Sequence, residues 1–139
     1  RQRQMCIRDR DFEGAYYGMY FLELADYCTR ENNDEREVLK LLYQSLRALT
    51  VKSIPRRLVR CIYEIRLIVA NGEFPGLPQG NFSETALYAV EFIAGTPVEK
   101  LYTFTLKEEV LAELVQIAGK YRRDFLPGEF YTLEILETL

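Results

Sequence analysis

Apolar residues recur at helical spacing along most of the chain. No stretch of any length alternates with the period of two that a half-buried strand requires. The cleanest run is Leu58, Cys61, Ile62, Ile65 and Val69, which falls on one face of a 3.6-residue helix. Its ends are marked as well. Pro55 suits a first helical turn, Ser53 is placed to cap it, and Asn71-Gly72 tolerates the left-handed conformation that closes a helix. This predicts a helix over Pro55–Ala70.

The same reasoning places the other elements. A helix is expected over Gly14–Cys28, with Tyr16, Met19, Tyr20, Glu23 and Tyr27 along one side. It is apolar over most of its circumference, which suits a central position. Asn32 or Asn33 can cap a second helix, Asp34–Leu49, whose Val38, Leu42, Leu46 and Leu49 face inward and whose Asp34, Glu35 and Glu37 favour the positive end of the dipole. Residues Gly72–Asn81 hold three Gly and two Pro and form a loop. A fourth helix runs Ser83–Ala94, with Ala86, Leu87, Val90, Ile93 and Ala94 inward. Val98–Phe104 is one helical turn or extended. Thr105 and Glu108 have capping-box spacing, opening a helix that reaches about Tyr121 with Val110, Leu114, Ile117, Ala118 and Tyr121 inward. Phe125 and Leu126 then fold back on its end, Pro127-Gly128 turns, and Tyr131–Leu139 is a short last helix. The expected fold is all-α, an antiparallel bundle of five to six helices.

Composition excludes several functions. The 139 residues, 48% apolar and 13% aromatic, suffice for one core. There is no histidine, the usual general base near neutral pH and a common metal ligand. Cys6, Cys28 and Cys61 lack CxxC spacing, and Cys28 and Cys61 read as small buried hydrophobes. No phosphate-binding loop and no GxSxG elbow occurs. Glu23 with Asp26, and Glu108, Glu109 and Glu113, could do acid-base work or bind a hard metal, but read better as solvated helix faces. The expectation is a non-enzymatic domain without cofactor or metal. Residues 1–10, RQRQMCIRDR, show no periodicity and read as a non-native, adapter-derived leader, with the domain proper at 11–139. Without the four Arg and one Asp of that leader the net charge moves from −3 to −6. So acidic a chain should bind single-stranded DNA weakly by itself.

The basic residues are the candidate site. Arg56, Arg57, Arg60 and Arg66 all fall on the third helix, and Lys120, Arg122 and Arg123 end the fifth. Two readings stay open. The first group pairs with nearby Glu and the second complements a helix dipole, or the first group recognises an anion, an acidic peptide tail or a phosphate backbone.

Five segments, in this order, carry a family resemblance: Ala15–Asn32 (AYYGMYFLELADYCTREN), Leu41–Leu49 (LLYQSLRAL), Arg57–Pro75 (RLVRCIYEIRLIVANGEFP), Phe82–Ile93 (FSETALYAVEFI) and Tyr131–Leu139 (YTLEILETL). The third contains Tyr63-Glu64-Ile65-Arg66-Leu67, similar to an aromatic-Glu-aliphatic-x-Leu core. Together they resemble the C-terminal helical domain of the bacterial recombination mediator RecO. Many relatives carry a four-cysteine zinc ribbon after the third helix. Here that stretch has no cysteine, so zinc is not expected. The N-terminal OB-fold that binds single-stranded DNA in the family is also missing from this sequence. The resemblance implies a cytoplasmic, nucleoid-associated mediator of DNA repair that helps RecR and RecF load RecA on SSB-coated single strands. It implies the acidic, Phe-ended SSB tail and RecR as partners of the helical domain. An all-α interaction or scaffold domain unrelated to repair is the alternative.

Overall fold

A computed structural model describes the backbone of residues 2–30, 35–128 and 130–138, and the side chains of these except 2–11 and 131. Among the described residues the regular structure is helical, without a strand: α1 (Gln2–Arg30), α2 (Glu35–Ala48), α3 (Arg56–Ala70), α4 (Glu84–Gly95), a 3-10 turn at Val98–Lys100, α5 (Glu108–Phe125) and α6 (Tyr131–Thr138). The all-α expectation stands. Asn32, Asn33 and Asp34, expected around the start of α2, lie outside the described residues, as does Cys6's side chain.

The centre is α3, not α1. Leu58, Val59, Cys61, Ile62, Tyr63, Glu64, Ile65, Leu67 and Ile68 are all buried, and α3 packs against α1, α2, α4 and α5. α1, apolar over most of its circumference in sequence, turns one face inward. Tyr17, Tyr20, Phe21, Leu24, Ala25 and Cys28 are buried, while Met19, Leu22 and Tyr27 are exposed. Those buried positions follow the i, i+3, i+4, i+7, i+8, i+11 spacing of one helix face. Phe21 marks that face. Its ring stacks on Tyr63 with centroids 4.2 Å apart, and the Tyr63 hydroxyl donates to the Phe21 carbonyl at 2.5 Å. Such ring pairs add about 0.5–1.5 kcal/mol beyond area burial.

Several boundaries differ from expectation for local reasons. α1 begins at Gln2, so residues read as aperiodic continue the helix backbone. Ser53 does not cap α3, whose N-cap is Pro55 with no side-chain bond. The Thr105–Glu108 capping box does not form. The N-cap of α5 is Lys107, and Glu108 instead meets Arg57 at 3.2 Å. α5 also runs on to Phe125, with buried Leu126 as its C-cap. Val98–Lys100 takes the helical option.

The 71–83 connection is a defined structure. Gly72 closes α3 at φ 76°, with its amide bonding Val69 O and the Glu73 amide bonding Ile68 O, while Asn71 stays right-handed. The Tyr121 hydroxyl donates to Gly76 O at 2.6 Å, and Phe74 sits edge-on to Tyr121. At the far end Ser83 caps α4 by accepting from the Ala86 amide, while its own amide and hydroxyl both donate to Glu113 at 2.7 Å.

Two outcomes follow. Gly72→Ala places a Cβ in the left-handed region and should cost about 1–2 kcal/mol by urea denaturation. The two Ser83 bonds hold the Glu113 carboxyl below its ordinary value of 4.5. A depressed carboxylate contributes stability that is complete above the unfolded pKa and is lost as pH falls through the folded one. The urea-midpoint gap between wild type and Glu113→Gln should therefore shrink between about pH 6 and about pH 3; a constant gap contradicts this.

Candidate anion-binding cleft

Midway along α3 a single acid is enclosed by the fold. The Glu64 side chain is 2% exposed. It accepts the Tyr20 hydroxyl of α1 at 2.6 Å and the Arg60 Nε one turn back at 3.1 Å. Arg122 Nη1 of α5 lies 3.6 Å from the same oxygen. The Arg60 guanidinium also stands 5.3 Å above the Tyr20 ring, a cation–π geometry. Burial disfavours charge on Arg60, but Glu64, Tyr20 and Glu137 outweigh it and hold its pKa above the ordinary value. Burial, and then the Glu64 charge, push the Tyr20 phenol far up, so it stays a donor.

Above this buried knot opens a cleft of about 920 Å³. Arg56, Arg57 and Arg60 line it from α3, and Lys120, Arg122 and Arg123 from α5. Glu13, Glu64 and Glu137 are its only carboxylates among the described residues, so the described lining carries an excess of positive charge in a chain whose net charge is −3. Tyr17, Val115 and Leu136 supply apolar wall. A Cβ on Gly14 would lie 2.8 Å from Arg56 Nη2 and would push that guanidinium aside.

The helix dipole explains half of this arrangement. Arg122 and Arg123 end α5, where a cation is favoured. Arg56 and Arg57 open α3, where it is not, and α3 has no acid in its first turn. Side-chain acids do answer them. Arg56 lies 3.6 Å from Glu13, and Arg57 3.2 Å from Glu108. Those acids are largely exposed, and pairs of that kind contribute about 0–1 kcal/mol. An incoming anion can exchange with them at little cost.

Arg66 stands apart. Its Nη1 donates to the Ile93 and Thr96 carbonyls at the end of α4, and it does not line the cleft. The structure thus brings Arg56, Arg57 and Arg60 together with the second basic group, and separates Arg66 from both. The sequence reading missed Glu64, Tyr20, Glu137 and Glu13. Glu64 left a signal: it is the one acid inside the apolar run CIYEIRLIVA.

Other candidate chemistry is accounted for locally. Asp26 pairs with Arg30, Glu23 accepts from the Thr132 hydroxyl, and Glu113 holds Ser83. Cys28 and Cys61 are buried, and burial raises the pKa of both. Among the described residues no group of three or more His, Cys, Asp or Glu is placed to hold a metal ion, and no helix is long and apolar enough to cross a membrane.

Comparison with known families gives one match. The family model described as "Recombination protein O C terminal" matches residues 9–81, just over half of the chain. The chain belongs to this RecO C-terminal family. Membership gives it a family-level role in recombinational DNA repair, in a family of non-enzymatic mediator domains. No curated protein and no solved structure matches it. The match spans α1, α2, α3 and most of the following loop. Arg56, Arg57 and Arg60 lie within it, whereas the α5 cations and Glu137 lie beyond it.

Because Glu64 neutralises Arg60 and Arg122 inside the fold, Glu64→Ala should lower stability by about 3–5 kcal/mol, the usual cost of stranding a buried charge. A urea titration that finds under about 1 kcal/mol rejects the knot as a structural anchor.

Proposed function

We propose that this chain is the helical partner-docking domain of a RecO-type mediator, and that its α3–α5 cleft receives the acidic C-terminal tail of SSB. The observation that carries the reading is the convergence of Arg56, Arg57 and Arg60 with Lys120, Arg122 and Arg123 on one cleft of an acidic chain. Guanidinium groups recognise carboxylates through paired N–H donors. The volume lies in the usual range for ligand sites, and Val115, Leu136 and Tyr17 offer an apolar surface to a terminal aromatic ring.

In this reading the domain engages SSB and RecR, and with RecF promotes RecA loading on SSB-coated single strands. Single-stranded DNA is held mainly by an OB-fold outside this sequence, consistent with the net charge of −3. Residues 11–139 form the working domain, residues 1–10 are a foreign leader, and the protein acts in the bacterial cytoplasm at the nucleoid. Arg66 contributes by fixing α4 against α3 rather than by touching the tail.

Fluorescence polarisation with a labelled acidic peptide ending in Phe tests this. Arg57 and Arg123 are exposed, so the double charge reversal Arg57→Glu/Arg123→Glu should leave the melting temperature nearly unchanged. It should weaken binding about tenfold or more, and binding to wild type should fall as salt rises. Unchanged affinity in the double variant removes the cleft from the interaction.

A further inference from the structure

Two carboxylates in the cleft belong to neither of the helices that supply its cations, Glu13 of α1 and Glu137 of α6, and only the second faces the Arg60–Arg122 pair among the described residues. Glu137 is on α6, and its Oε1 lies 3.4 Å from Arg122 Nη2 and 3.7 Å from Arg60 Nη2. It stands where a carboxylate ligand bridging the two guanidiniums would stand. Its side chain is 54% exposed, whereas Arg60 and Arg122 are 15% exposed. The acid is therefore the mobile member and the cations are the fixed ones.

Its hold is also incomplete. Arg60 Nη2 is buried and makes no hydrogen bond among the described residues, and Glu137 approaches it only to ion-pair distance. A buried donor without a partner costs about 1–3 kcal/mol. An acid that came closer would satisfy it. α6 does not depend on Glu137 for its seat. Leu133 and Leu136 are buried, Thr132 donates to Glu23, and the Phe130 ring just ahead of the helix is edge-on to Tyr20. The side chain can leave while the helix stays.

We infer that Glu137 is a built-in competitor, an internal carboxylate that occupies the Arg60–Arg122 subsite until an external acidic group displaces it. This rests on the cleft being the acidic-peptide site proposed above. A tethered group acts at an effective concentration of roughly millimolar. Single carboxylates are then excluded, and a peptide bearing several acids, which can also engage Arg57 and Arg123, is selected.

The test uses the whole chain, the same labelled acidic peptide and a fixed ionic strength. Glu137→Gln keeps the shape of the side chain and removes its charge. It should tighten binding about three- to tenfold, the range expected from two partly exposed pairs. Glu134→Gln removes the same charge one turn earlier on α6, where it makes no ion pair with Arg60 or Arg122 among the described residues, and should change affinity less than about twofold. If Glu137→Gln binds no better than wild type, or Glu134→Gln tightens binding equally, the competitor is rejected. The cleft reading then survives as long as Arg57→Glu/Arg123→Glu still weakens binding. If neither wild type nor Glu137→Gln binds the peptide, both readings fall.

Discussion

The buried carboxylate of Glu64 joins the parts of this fold that apolar packing alone would leave loosely related. It bonds Tyr20 of α1, Arg60 of its own helix and Arg122 of α5, and through those arginines it is linked to Glu137 of α6. Withdrawing one charge from water costs several kcal/mol, and the cost is met only when partners arrive in the right geometry. The helices must therefore settle in one relative arrangement. That arrangement holds two guanidiniums at the base of a cleft, so the interaction that orders the bundle also fixes part of its binding surface.

The cleft has graded chemistry from floor to rim. At the floor Arg60 and Arg122 are mostly buried and committed to Glu64. Toward the rim Arg57 is half exposed and its acid partner is 79% exposed. Arg123 makes no ion pair among the described residues. Rim charges govern encounter rate and salt dependence, whereas buried ones govern how long a partner stays.

Sequence reading recovered the helices because their signals are local. Apolar spacing and the Gly72 closure depend on residues a few positions apart, and both are realised. It failed where a distant residue wins. Glu108 could have joined Thr105 in a capping box, but Arg57, 51 positions away, draws it elsewhere. The inward face of α1 was not legible because most of its circumference is apolar, and the stack of Phe21 on Tyr63 marks the side that turns inward. The site was half legible. The arginine clusters stood out in sequence, but Arg66 shares a helix with Arg56, Arg57 and Arg60 and points to another task. The union of α3 and α5 cations is a tertiary fact that no local pattern encodes.

Arg66 has a consequence for how the molecule opens. A helix end normally frays, because its last carbonyls have no intrahelical partners and are content with water. Here the Ile93 and Thr96 carbonyls are held by a guanidinium rooted in α3. The end of α4 cannot loosen without uncovering that cation. Its local opening is thereby coupled to the most buried helix of the bundle, and α3 and α4 behave as one cooperative unit instead of a core with a ragged edge.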